Sequence, residues 1–166
     1  MLQPNKILVI RFSSLGDLIL TSPIFRELRR IFPGANLNLL TSVGFGDVLD
    51  NNPHLDRIIK HPRKENFEQL NQLIEELQAE EFDLIYDAHR SMRSRWIVSR
   101  LTAFGMKRKP AVWKIDKRTL NRKLLIHLGW NRLQQGLSQR EQWLLPLKQH
   151  ATHGLDASTE LFPDQE

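Results

Sequence analysis

The chain has 166 residues, 40% hydrophobic and 26% charged, which suits one packed domain and is too apolar for a disordered chain. It has no cysteine, which excludes disulfide frameworks, thiolate nucleophiles and Cys-type zinc sites. The net charge of +5 comes from 24 Lys and Arg against 19 Asp and Glu, and no apolar run approaches a bilayer-spanning length.

From Lys6 to Ile10 a short run of branched apolar residues predicts a first strand. It passes through Arg11 and Phe12 into Ser13-Ser14-Leu15-Gly16-Asp17, a polar turn that opens a long amphipathic stretch. In open α/β sheets the ligand sits at this edge. The turn has one glycine and no Lys-Ser/Thr after it, so it is neither a dinucleotide fingerprint nor a Walker phosphate loop. Asp17 is either a general base presented at the sheet edge or a helix N-cap.

Leu20, Ile24, Leu28 and Ile31 recur at helical spacing, with the helix start placed between Gly16 and Pro23. Pro33-Gly34 ends that helix, and Leu37, Leu39 and Leu40 predict a second strand reaching Thr41. Gly44-Phe45-Gly46 suits a turn. After Asn51-Asn52-Pro53, Arg57 to Lys60 make a third strand, and Phe67, Leu70, Leu73, Ile74 and Leu77 form the apolar stripe of a helix. Phe82 to Tyr86 is the fourth strand, apolar as a central parallel strand is. A helix from Ser91 to about Phe104 is expected to pack Trp96, Ile97 and Leu101 inward. Pro110 to Val112 suggests a fifth strand, followed mostly by helix. Ser138-Gln139-Arg140-Glu141 is a capping box for a last helix that Pro146 kinks or shortens. From Ala151 the chain is polar and reads as a linker or frayed tail, 151–166, after a domain of residues 1–150.

Strands alternating with helices imply right-handed βαβ units, hence a Rossmann-like, doubly wound parallel α/β sheet of about five strands. The basic excess is uneven. The first half is close to balanced, whereas Arg90, Arg93, Arg95, Arg100, Lys107, Arg108, Lys109, Lys114, Lys117, Arg118, Arg122 and Lys123 meet only Asp87 and Asp116. Such a stretch concentrates anionic partners or is a solvated surface with its countercharges elsewhere. The start of the chain lacks the pattern of a signal peptide, so a cytoplasmic protein is expected. His127, His150 and His153 lack metal-ligand spacing with acidic partners, and no metal site or cofactor is expected.

Ser13-Ser14-Leu15-Gly16-Asp17 after an N-terminal strand, with Pro23 following, resembles the start of the ADP-heptose:lipopolysaccharide heptosyltransferases, glycosyltransferase family nine. Asn52-Pro53-His54-Leu55-Asp56-Arg57-Ile58-Ile59, Phe82-Asp83-Leu84-Ile85-Tyr86-Asp87 and Asp87-Ala88-His89-Arg90-Ser91-Met92-Arg93-Ser94 fit the same family in the same order. Arg90 departs from the pattern, since many relatives have a glycine there. The resemblance implies the N-terminal, acceptor-side half of a GT-B enzyme, with the nucleotide-sugar-binding domain absent from this chain and the chain inactive alone. It implies inverting, metal-independent transfer of heptose from ADP-heptose to an anionic lipopolysaccharide core at the inner membrane surface, with no nucleic acid partner. Asp17 becomes the candidate base. Ser13, Ser14 and Gly16 would contact acceptor or diphosphate, and Arg63, Lys64, His89, Arg90 and Arg93 are candidates for an anionic acceptor. The competing reading is a basic Rossmann-like module that binds nucleic acid or anionic membrane without catalysis; interleaved aromatics such as Trp96, Trp113 and Trp130 would favour nucleic acid.

Overall fold

A computed structural model describes residues 2–103, 109–115 and 137–163. Five parallel strands form one sheet in the order β3-β2-β1-β4-β5. They are β1 Lys6–Ile10, β2 Asn36–Ser42, β3 Arg57–His61, β4 Leu84–Asp87 and β5 Ala111–Lys114. The helices are α1 Leu15–Ile19, α2 Ser22–Ile31, α3 Phe67–Ala79, α4 Met92–Leu101 and α5 Gln139–Leu144. The strand order reverses direction between β1 and β4, which makes their C-terminal ends the crevice of the sheet.

The sheet is covered on both faces, so its central strands are apolar throughout. Ile7, Val9, Leu37, Leu39, Leu84 and Tyr86 pack with Phe25 and Leu28 of α2 and with Trp143 and Leu144 of α5. Leu8, Ile10, Leu40 and Ile85 pack with Leu73, Ile74 and Leu77 of α3 and Ile97 and Leu101 of α4. This is the period-2 division of strand side chains between two faces. Burial raises the pKa of the Tyr86 phenol, whose O–H donates to the Trp143 carbonyl and ties α5 to β4.

Several sequence expectations need refinement. The first long helix is two: a short α1, then α2 with Thr21 at its N-cap and Pro23 in its first turn, where proline's missing N–H costs nothing. Pro146 falls just after α5, in a 3-10 turn over Leu145–Leu147, as its missing donor requires. Phe67 does not join the buried stripe of α3. It is the first residue of that helix and is 68% exposed. Trp96 is 43% exposed because its neighbour Ile97 takes the inward direction, and adjacent helical residues point about 100° apart. The helix expected to reach about Phe104 ends at Leu101, with Thr102 as its C-cap; the helical stretch after β5, Trp130 and His127 lie outside the described residues.

Residues 151–163 have no helix or strand, yet they do not fray from the surface. Arg26 of α2 pairs with Glu160 and Asp156, His153 reaches Glu27 at 2.8 Å, and Ser22 Oγ accepts the Glu160 N–H at 2.9 Å. Leu155 and Ala157 rest on the core beneath. Polar composition predicts irregular backbone correctly, but it does not predict ion pairs made across more than a hundred residues.

Candidate functional site at the sheet crevice

β1 delivers Arg11 and Phe12, both buried, to the crevice. Ser14 then adopts the extended N-cap conformation of α1, and its N–H lies 3.5 Å from Oδ2 of Asp17 at position N3. Asp17 is thus the return arm of the turn and not the cap itself. Its half-exposed carboxylate forms an ion pair with Arg11 Nη2 at 2.5 Å. Ser14, Leu15 and Gly16 are exposed, and Ser13 is half-buried.

Arg11 is the residue the sequence reading passed over. Its guanidinium is buried, donates from Nη1 to the Ala88 carbonyl at 2.5 Å and lies 4.8 Å from the Trp143 ring centroid. One side chain therefore pins the loop after β1 to the loop after β4 across the switch point. Burial pushes its pKa below the ordinary arginine value while Asp17 and Asp87 oppose that shift. Arginine keeps its proton throughout the working pH range. The signal in the sequence was a lone arginine at the end of an apolar strand, since a buried charge must find a partner.

The loop after β4 is organised by Asp87, which is itself buried. Its Oδ1 accepts the N–H groups of His89 at 3.1 Å and Arg90 at 2.7 Å, and its Oδ2 accepts the Ser94 hydroxyl at 3.2 Å. Arg90 sits at φ 51°, in the left-handed region that favours glycine. Here Asp87 and a bond from Arg90 Nη1 to the Ile115 carbonyl at 2.9 Å hold the arginine in place. Its guanidinium is turned along the sheet edge toward β5.

Phe12 links the crevice to the third loop. His89 meets its ring edge-on at 5.7 Å, and Arg93 stacks 3.9 Å above its centroid. Arg93 is also gripped by Glu65, Nε to Oε1 at 2.5 Å and Nη2 to Oε2 at 2.7 Å, and it donates to the Pro62 carbonyl at 3.1 Å. Burial lowers its pKa and Glu65 opposes this. Glu65, which also pairs with His61, was another residue the sequence reading did not single out. Arg93 is thus a bracket between α4 and the β3–α3 loop, already neutralised by a carboxylate. Arg63 and Lys64 of that loop are exposed and have no carboxylate partner among the described residues.

All the sequence-derived candidates therefore lie along the C-terminal edge of the sheet. Ser13, Ser14, Gly16 and Asp17 stand on one side of the crevice and His89 and Arg90 on the other, joined through Arg11 and Phe12. Arg63 and Lys64 lie farther along, beyond the Arg93–Glu65 bracket. Among the described residues no cluster of three His, Asp or Glu is placed to hold a metal ion. The arrangement offers a half-exposed carboxylate, two hydroxyls and open backbone at a glycine, with two unpaired cations farther along the same sheet edge. That set can orient a polyhydroxylated, anionic molecule and accept a proton from it.

No protein-family model matches the chain. It is 25% identical over 166 aligned positions to lipopolysaccharide heptosyltransferase 1 of Pseudomonas aeruginosa, covering 91% of this chain and 46% of that protein. It is 28% identical over 111 positions to lipopolysaccharide heptosyltransferase 1 of Escherichia coli, covering 61% of this chain and 34% of that protein. The chain thus spans half or less of the length of the curated relatives it matches. Among solved structures, a glycosyl transferase family 9 protein from Veillonella parvula superposes with a TM-score of 0.66 at 20% identity, over 95% of this chain and 44% of that one. The E. coli heptosyltransferase WaaC with ADP-2-deoxy-2-fluoro heptose gives 0.62 at 22% identity, over 92% of this chain and 52% of that one. The resemblance to family nine heptosyltransferases read from the motifs is borne out in sequence and in fold.

Proposed function

We propose that this chain is the acceptor-side half of an inverting, metal-independent glycosyltransferase that moves heptose from ADP-heptose to an anionic lipopolysaccharide-core acceptor. The observation that carries the reading is the Arg11 bridge. It holds the Asp17 carboxylate at the mouth of the switch-point crevice, where a parallel sheet presents its ligand.

In this reading the acceptor hydroxyl lies against Asp17. Its oxygen forms the new bond to the anomeric carbon as the bond from that carbon to the ADP oxygen breaks, on the opposite face, so configuration inverts. The proton passes to Asp17, and the electron pair leaves with ADP. Ser13, Ser14 and the amides around Leu15 and Gly16 hydrogen-bond the acceptor or the departing diphosphate. Arg63 and Lys64 hold the acceptor's phosphate or carboxylate groups, bidentately for the arginine. His89, packed on Phe12, and Arg90 and Arg93 shape the far wall. The second half of the enzyme supplies the ADP site, so the chain alone is inactive, and the whole works in the cytoplasm against the inner membrane.

Calorimetric titration of this chain tests the division of labour. A deacylated, phosphorylated core oligosaccharide is expected to bind weakly and ADP-heptose to give no measurable heat. Tight binding of ADP-heptose by this chain would overturn the assignment to the acceptor side.

A further inference from the structure

α4 turns an unusual face outward. Met92 is 89% exposed and Trp96 43%, one helical turn apart on the same side, and Arg95, Ser99 and Arg100 complete that face. Phe67, 68% exposed at the start of α3, lies alongside, because Arg93 fastens the first turn of α4 to Pro62 and Glu65 just before it. Arg63 and Lys64 project from that same loop.

The described surface carries both paired and unpaired cations. Lys6, Arg29, Arg57 and Lys60 each hold a carboxylate. Arg63, Lys64, Arg95 and Arg100 hold none among the described residues, and Glu68 is the exposed acid next to Phe67. Lys109, Lys114 and Lys148 also have no carboxylate partner among the described residues. Large apolar side chains standing in water among unpaired cations are what a surface needs to sit in the headgroup region of an anionic bilayer: the apolar tips enter the acyl boundary and the cations remain with the phosphates.

We propose that the outer face of α4, with Phe67 and the β3–α3 loop, docks this protein onto an anionic lipid bilayer. The inference rests on the transferase reading, which puts the acceptor at a membrane, and it names the surface that meets the lipid. The patch adjoins the crevice through Phe12 and Arg93, so docking sets the open edge of the sheet beside the membrane, where a lipid-anchored acceptor presents its sugar.

The test is flotation of this chain with vesicles of phosphatidylglycerol and phosphatidylcholine. Binding is expected at low salt, with release near about 0.5 M, where the Debye length falls to about 4–5 Å. Phe67→Glu with Met92→Glu, both at exposed positions, should lower the bound fraction about tenfold or more at an unchanged melting temperature. Arg95→Ala with Arg100→Ala should weaken binding only to vesicles containing phosphatidylglycerol. Brominated lipid should quench Trp fluorescence in the parent chain and less in Trp96→Phe.

Undiminished vesicle binding by the Phe67, Met92 double variant would overturn the proposal. So would preference for single-stranded RNA over vesicles at equal ionic strength, or loss of vesicle binding when the second half of the protein is present. A transfer assay with a deacylated, soluble acceptor separates the two readings. Full activity of the double variant in the complete enzyme, with vesicle binding lost, supports the surface. Vesicle binding by a complete protein that transfers no sugar leaves the surface standing and removes the transferase.

Discussion

The two ends of the sheet are built on opposite plans. At the N-terminal end, acids close the strand starts. Asp83 accepts the N–H groups of Asn5 at 2.7 Å and Lys6 at 3.0 Å, and Asp56 accepts the Leu37 N–H at 2.6 Å while holding Arg29 at 2.6 Å. Glu80 joins Lys6 and Arg57, each at 2.7 Å. At the C-terminal end an arginine is buried, a glycine stands open, cations lack partners and apolar side chains face water. The first end holds strands in register; the second keeps Ser14, Gly16, Arg63 and Lys64 exposed around its own brackets. Two of the four family motifs, those containing Asp56 and Asp83, thus place a structural carboxylate at the closed end.

The contrast makes substitutions at the two ends separable. Removing the guanidinium in Arg11→Leu should have the largest effect on stability, about 2–3 kcal/mol, because the Ala88 carbonyl and Trp143 lose a charged partner. The same change frees Asp17, so activity of the complete enzyme should fall beyond what unfolding explains. Urea unfolding with parallel transfer assays measures both. Stability lost without excess loss of activity would make Arg11 a purely structural clamp.

At the closed end, Asp56→Ala should cost about 1–2 kcal/mol, discounted because the carboxylate is partly exposed, and should leave kcat unchanged. Desolvation raises the Asp56 pKa, but the Leu37 N–H and Arg29 more than offset it, and bonds from Lys6 and Arg57 lower that of Glu80. Carboxylates with depressed folded-state pKa values contribute stability that is complete above their unfolded value and lost as pH falls through the folded one. Melting temperature should therefore hold down to about pH 5 and decline below about pH 4, the ordinary carboxylate range, with a shallower decline in Asp56→Asn. A steeper acid decline in that variant would contradict the assignment.

The smallest effect is expected at Gly16. Nothing lies within 4 Å of a Cβ built there, and its φ is not positive, so the fold itself does not require glycine. Gly16→Ala in this helical turn should stabilise the chain by up to about 1 kcal/mol. If the glycine is kept for the close approach of a ligand, the same change should weaken core-oligosaccharide binding. A variant that binds as well as the parent would remove Gly16 from the site.

Strand positions, the parallel α/β class and the ligand-bearing edge were legible because β1, β2 and β4 are continuous apolar runs and the helices carry periodic stripes. The capping box at Ser138 gave the start of α5 to the residue. What sequence pattern could not resolve was direction at the ends of elements. Phe67 obeys the helical period of α3 but is exposed as its first residue, and Trp96 and Ile97 cannot both face inward. Arg11 was hidden inside an apolar run, and its partners, Ala88 and Trp143, are remote in sequence. The seat of residues 151–163 on α2 depends on side-chain ion pairs with no period at all. The candidate residues came from the first and last motifs and the segment after β3; the brackets that hold them, Arg11 and Glu65, were not singled out.

The claim that the open end is catalytic is tested most directly by Asp17→Asn in the complete two-domain enzyme, followed by transfer rate and melting temperature together. Loss of a general base should lower kcat by about 100-fold or more, with the melting temperature moved by only a few degrees. An unchanged kcat with a large fall in melting temperature would show that Asp17 serves only the turn into α1 and that the chemistry lies elsewhere.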